Sequence, residues 1–162
     1  TDGLTLKDYK AFKQLCTQKE WDDFEPRMLE RLEKARDDEK MKVHLFRKEY
    51  DKTLSILKPH RYPAQPYGED GILKVAAELE EIYPEDILSF YVTGLGNLNR
   101  SLDRKAYARK AEAMAKVRHV WVDVLKTPDK WKEFGRKAKE MNVKRPAFQQ
   151  ELAKVLPDWK VL

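Results

Sequence analysis

Apolar residues recur at three- and four-residue spacing along almost the whole chain and alternate at two-residue spacing almost nowhere. That pattern predicts an all-α fold, because only a helix puts residues i, i+3, i+4 and i+7 on one face. The segments are short and well punctuated. In "LTLKDYKAFKQLC", Leu6, Tyr9, Phe12 or Lys13, and Cys16 keep helical spacing behind a capping Thr5. In "TQKEWDDFEPRMLERLEKAR", Thr17 and Glu20 hold the two capping-box positions, and Trp21, Phe24, Met28, Leu29 and Leu32 form the stripe. Pro26 is expected to kink this helix or break it in two.

"DDEKMKVHLFRKEYDKTLSILKP" predicts a helical hairpin, because its apolar phase slips at Lys48–Glu49. Met41, Leu45 and Phe46 would face inward from the first helix, and Tyr50, Leu54 and Leu57 from the second, which Pro59 stops. Residues 59–71, "PHRYPAQPYGEDG", carry three prolines and two glycines and read as a surface loop with Tyr62 and Tyr67 laid on the core. Four more segments follow. "ILKVAAELEEIY" ends before Pro84, and "PEDILSFYVTGLGNLN" starts on that proline, with Glu85 and Asp86 suited to a helix N-terminus. Residues 103–126 form one helix. Pro128 and Pro146 open the last two, with Trp131, Phe134 or Gly135, and Ala138 inward in one and Phe148, Leu152 and Val155 in the other. About nine short amphipathic helices with brief turns describe stacked antiparallel hairpins, a tetratricopeptide-like α-solenoid with degenerate repeats, built as one domain over residues 1–162.

Charge is divided unevenly. Residues 1–99 hold 16 Lys/Arg against 20 Asp/Glu, whereas residues 100–162 hold 17 against 8. An anionic partner for the second half is one explanation, and a polar face that happens to use lysine is the other. Cys16 is the single cysteine, so no intrachain disulfide and no multi-cysteine metal site can form within the sequence. It reads as a small core or helix-end residue, which fits a reducing, intracellular setting such as the cytoplasm. No apolar run approaches the roughly 20 residues of a membrane span. The chain opens at Thr1 without a signal-peptide pattern, as an excised piece of a longer protein would.

Residues that could carry chemistry are scattered. His44 lies on a helix, His60 in the proline-rich loop beside Arg61 and Tyr62, and His119 on a polar helix face, with no metal-ligand spacing among them. "TGLGNLN" (93–99) lacks the Gly-Lys-Ser/Thr ending and preceding strand of a phosphate loop, so Gly94 and Gly96 read as sites of close packing or helix termination. Asp37, Asp38 and Glu39 open a helix, where their charge suits the dipole. The sequence therefore predicts no enzyme, no cofactor and no metal centre.

The lysine- and arginine-rich stretch "RKAYARKAEAMAKVRHVWVDVL" (104–125) is informative on a helical wheel. Tyr107, Ala111, Met114, Val117, Trp121 and Leu125 share an arc of about 120°. Lys105, Arg109 and Lys116 oppose it, but Glu112, His119 and Asp123 stand among them, which a ridge built for phosphates would avoid. Lys110 and Arg118 border the apolar arc, from which their heads can reach water or a neighbouring helix's carboxylate. The densest basic run comes later: Lys126, Lys130, Lys132, Arg136, Lys137, Lys139, Lys144 and Arg145, broken by Asp129, Glu133 and Glu140. Lys132, Arg136 and Lys139 cluster on one side of their helix. With Lys144 and Arg145 they are the candidate contacts for an anionic partner or nucleic acid. Trp21, Trp121 and Trp131 sit at inward phases, and Trp159, in "LPDWKVL", is the candidate protein-docking residue.

Three stretches, "KEWDDFEPRMLERL", "KMKVHLFRKEYDKTLSIL" and the tail from "IYPEDILSFY" to "LPDW", together resemble the helical C-terminal region of SWIM-type zinc-finger proteins. The matching positions are Tyr83, Pro84 and Tyr91; Tyr107, Ala111, Met114, Lys116 and Arg118; and Trp131, Phe134, Asn142, Arg145, Pro146 and Ala147. The likeness covers most of residues 17–159 and is best over 83–159. The family's C-x-C…C-x-H ligand set is absent, so no zinc ligand carries over and the finger would lie outside this sequence. The resemblance implies a helical scaffold attached to a nucleic-acid- or protein-binding module and implies no reaction. The expected function is a non-enzymatic interaction domain whose partner is a protein or another domain of the same chain. Direct nucleic-acid binding by residues 100–162 is the alternative, and a membrane partner is not expected.

Overall fold

A computed structural model describes residues 3–64 and 70–162. Among these residues the regular structure is wholly helical, with nine α-helices, a π-helical turn, a 3-10 turn and no strand. The chain divides into two compact units, one within Thr1–His60 and Asp70–Ala76, the other within Arg61–Glu69 and Ala77–Leu162. Tyr67 and most of the proline-rich loop lie outside the described residues.

The first unit contains α1 (Leu6–Leu15), α2 (Gln18–Leu32), α3 (Asp37–Phe46), α4 (Tyr50–Leu57) and the start of α5 (Asp70–Leu79). Local chemistry sets the helix starts. The Thr5 hydroxyl accepts from the Asp8 amide at 3.1 Å. Thr17 and Glu20 exchange the two bonds of a capping box, at 3.2 and 3.3 Å. Pro26 does not break α2, which runs unbroken through it. Trp21 before the proline and Met28 and Leu32 after it are all buried in one cluster with Leu4, Tyr9, Ala35 and Val43, so packing keeps the helix continuous despite the missing backbone donor. Phe12 and Phe24, expected inward, are each 45% exposed on the flanks of their stripes.

Lys48 takes φ 61° between α3 and α4 and turns the chain into the expected hairpin. The inward set of α3 differs from expectation: Met41 and Val43 are fully buried, Leu45 is half-buried and Phe46 is exposed. Residues two apart point about 200° apart on a helix. α3 can bury both because it packs against α1 as well as α4.

A polar network ties the hairpin turn to α1 and α2. Arg47 reaches Glu25 at 2.8 Å and Glu49 at 2.7 Å, and donates to the Tyr9 hydroxyl at 3.0 Å. That hydroxyl in turn donates to Glu25 at 2.8 Å. Burial pushes the Tyr9 hydroxyl above its ordinary range despite the Arg47 contact. Partial burial also pushes the Glu49 carboxyl upward, but hydrogen bonds from Lys52, Arg47 and His44 outweigh it and hold the group at about 2, against an ordinary 4.5.

The second unit holds the end of α5, α6 (Pro84–Val92), α7 (Arg104–His119), the π turn (Val120–Val124), α8 (Pro128–Met141), α9 (Pro146–Val155) and the 3-10 turn (Trp159–Val161). Proline occupies the first turn of α6, α8 and α9, where its missing N–H costs no intrahelical bond. α7 packs on α6 and α9. Tyr107 stacks on Phe148 with centroids 4.8 Å apart, and Tyr91, Met114, Trp131 and Leu152 are fully buried.

The helix expected over 103–126 departs from α geometry at its end. The Leu125 amide donates to the Val120 carbonyl five residues back, and Thr127 closes the segment through its amide and hydroxyl on the Trp121 carbonyl. The wider turn shifts the phase, so Val120 is buried while Trp121 is half-buried, its ring 5.3 Å from that of Phe134.

The depressed Glu49 carboxyl fixes a pH dependence. A carboxyl held lower in the folded than in the unfolded chain adds stability above the unfolded value and loses it as pH falls through the folded one. We expect thermal unfolding of the first unit, followed by circular dichroism, to weaken between pH 4.5 and pH 2. Glu49→Gln should flatten that part of the profile, and an unchanged profile would show that the network contributes nothing.

Candidate functional site

The candidate anionic-partner residues occupy α8, the turn after it and the first residue before α9. Lys132, Arg136 and Lys144 are exposed, with no ion-pair or hydrogen-bond partner among the described residues. Lys132 and Arg136 stand one turn apart and share a face. Met141 and Val143, exposed by 44% and 73%, lie just before Lys144 in sequence.

Lys139, expected on that face, turns instead toward the C-terminal segment. Its ammonium donates to the Trp159 carbonyl at 2.8 Å and sits 5.8 Å from the Trp159 ring centre. Lysine hydrogens satisfy the end carbonyls of a helical turn, so a local bond replaces an outward charge. Arg145 is likewise spent, on the Met141 carbonyl at 2.9 Å and the Asn99 side chain at 3.0 Å.

Trp159 is not available for docking as expected, since only 3% of it is exposed. Its ring nitrogen donates to Gln149 at 2.7 Å. The neighbouring Asp158 explains why the tail folds back. One carboxylate oxygen accepts from Arg118 of α7 at 3.0 Å, and the other accepts from the fully buried Trp131 ring of α8 at 2.9 Å. Arg118 thus reaches a carboxylate from the edge of the apolar arc, one that stands in the turn after α9 rather than on a neighbouring helix. Leu162 lies over Gly135, where an added Cβ would come within 2.7 Å of its side chain.

On α7, Lys116 lies 5.8 Å from the Tyr91 ring centre. His119 stands 3.0 Å from Glu80 and 2.9 Å from Asp123, and Tyr91 donates to Glu80 at 2.6 Å. Burial and the Glu80 contact drive the Tyr91 hydroxyl well above its usual range. These contacts use the polar face of α7 for tying its own unit together. Among the described residues, no three His, Cys, Asp or Glu side chains converge where a metal ion could be held.

A different group of residues escaped the sequence reading. Tyr62, Pro63, Thr93, Gly94, Arg109 and Lys110 line a cleft of about 220 Å³ in the second unit, with Gly96 at its edge. Gly94 is obligatory, since a Cβ there would lie 2.6–2.9 Å from the Tyr62 side chain. Gly96 takes φ +52°. Thr93 holds the wall together, accepting from the Tyr62 amide at 2.9 Å and donating to the Phe90 carbonyl at 2.6 Å. Arg109 donates to the Pro63 carbonyl at 2.8 Å, and Lys110 to the Asn97 carbonyl at 2.7 Å.

Two polar atoms of this wall, the Tyr62 hydroxyl and Arg109 Nε, are buried without a hydrogen-bond partner among the described residues. Each such group costs about 1–3 kcal/mol if nothing satisfies it. Burial and the charge of Glu112 push the Tyr62 hydroxyl up to about 12, although Arg109 opposes the shift. Desolvation, helped by the charge of Arg100, lowers Lys110 below its ordinary value. The sequence signals were present but far apart: a Thr-Gly-x-Gly turn and an adjacent Arg-Lys pair.

We expect Asp158→Ala to cost about 1–3 kcal/mol in urea unfolding, since it strands the Trp131 N–H and the Arg118 guanidinium. Lys132→Glu and Arg136→Glu should stay within about 0.5 kcal/mol of the parent, as surface changes do. Equal losses for all three would contradict the division between tethers and free cations.

No family model, curated protein or solved structure matches the chain.

Proposed function

We propose that the chain is a non-enzymatic helical interaction domain that holds an acidic, partly apolar protein segment against α8 and the turn after it. In this reading its short helical hairpins serve as a scaffold, carried alongside the zinc-finger module that the SWIM-type resemblance implies. The observation that supports it is the mixed character of the surface. Lys132, Arg136 and Lys144 are exposed and unpaired among the described residues, while the exposed Met141 and Val143 immediately precede Lys144. Interfaces draw on methionine, apolar contact and a few cations together, whereas a phosphate grip draws on cations alone.

Magnitude favours a protein over nucleic acid. Of the five candidate cations, Lys139 and Arg145 already serve backbone and side-chain acceptors, which leaves Lys132, Arg136 and Lys144. Three phosphate contacts give a log–log salt slope of only about 3, far short of the 6–10 contacts of a firm duplex binder.

The test is fluorescence anisotropy with labelled single- and double-stranded DNA and RNA, and with a labelled peptide that alternates glutamate and leucine, each at two salt concentrations. We expect the peptide to bind and to lose at least about tenfold in affinity with Lys132→Glu/Arg136→Glu, as removal of charge-assisted contacts does. Nucleic acid should bind weakly, with a slope no steeper than about 3. Tight nucleic-acid binding with a slope of about 6 or more, abolished by the same double variant, would replace this reading.

A further inference from the structure

The cleft between the 93–97 turn and α7 differs from a packing defect in carrying charge. Packing defects are lined by apolar atoms. This one has an apolar wall from Pro63, Ala64 and Ala106 but adds two consecutive cations and two glycines, one excluding a side chain and one at positive φ. We propose that Arg109 and Lys110 bind the phosphate group of a small phosphate-bearing molecule in this cleft.

Several observations converge. Arg109 keeps donors in reserve: one guanidinium Nη hydrogen goes to the Pro63 carbonyl, and the Nη groups have no other hydrogen-bond partner among the described residues. Guanidinium groups bind phosphate oxygens through such parallel N–H donors. Lys110 commits one of its three ammonium hydrogens to the Asn97 carbonyl, which fixes the head beside the turn and leaves two.

Charge selects the ligand class. Arg109 and Lys110 line the cleft, and the charge of Arg100 is felt at Lys110, while Glu112 is the carboxylate whose charge reaches Tyr62. Among the described residues the local balance is therefore cationic. Size limits the rest of the molecule. At about 220 Å³ the cleft is smaller than the 300–1,000 Å³ typical of drug-sized pockets, so it suits a phosphate with a short stem rather than a whole nucleotide. This site is separate from the α8 surface and does not rest on the interaction-domain reading.

The experiment is isothermal titration calorimetry of the full chain with inorganic phosphate and with glycerol phosphate, at ionic strength matched with sodium chloride, alongside thermal unfolding. We expect one equivalent to bind and to raise the unfolding temperature relative to the salt control. Arg109→Gln should weaken binding at least about tenfold. That variant also loses the Pro63 contact, so Lys110→Met is the second probe. Lys110→Met gives up the Asn97 contact instead, so both variants are titrated well below their own unfolding temperatures, and Lys110→Met should weaken binding several-fold. Lys19→Met, the same loss of charge on the exposed face of α2, should leave binding untouched. The proposal is overturned if neither phosphate binds. It is equally overturned if sodium chloride reproduces the effect, if Lys19→Met weakens binding as much as Lys110→Met, or if an oligonucleotide binds through Arg109 and Lys110 without being displaced by phosphate.

Discussion

Among the described residues no α-helix exceeds the 16 residues of α7, and most run 8–10. Helices of that length are marginal alone in water, so each persists only while its apolar stripe is covered and its ends are closed. This constraint explains where the molecule invests its specific chemistry. Caps and first-turn prolines fix where helices begin. Polar side chains fix where they end: Arg47 at the α3–α4 turn, Lys139 and Asp158 at the C-terminal turn, Thr127 after the π turn. Interior packing by Trp21, Trp131, Tyr91 and Phe148 then converts marginal segments into two compact units.

The same constraint decides what the basic half of the sequence is for. A surplus of lysine and arginine in residues 100–162 invites an electrostatic reading, but much of it is internal hardware. Arg104 reaches Glu151 at 3.0 Å, Arg118 reaches Asp158, Lys139 caps the last turn, and Arg145 spans to Asn99. Short helices have many ends relative to their length, and their carbonyl-rich C-termini are natural positions for cations.

Features set by neighbours in sequence were legible from it. The all-helical class, the Thr17 capping box, the slip between α3 and α4 and the three first-turn prolines are all decided within four or five residues. Misreadings came where distant contacts override local rules. Pro26 stays inside a continuous helix because Trp21, Met28 and Leu32 share one cluster across it. Val43 is buried because α3 has packing partners in both α1 and α4. Trp159 is buried because Gln149 and the backfolded Asp158 meet it and its neighbours from elsewhere in the unit. The lined cleft was invisible for the same reason. Gly94 and Gly96 were rightly read as backbone devices, but only the fold brings them beside Arg109, Lys110 and Tyr62.

The π turn at Val120–Val124 carries a consequence for how the chain can change length. A π turn is an α-helix holding one residue more than its two anchored ends require. Here the ends are anchored by Val117, fully buried on α7, and by the Thr127–Trp121 closure before α8. Removing a single residue between them would let the segment close as ordinary α-helix with both anchors in place. The bulge, the half-buried Trp121 and its contact with Phe134 thus mark a point where length and shape can be exchanged one residue at a time.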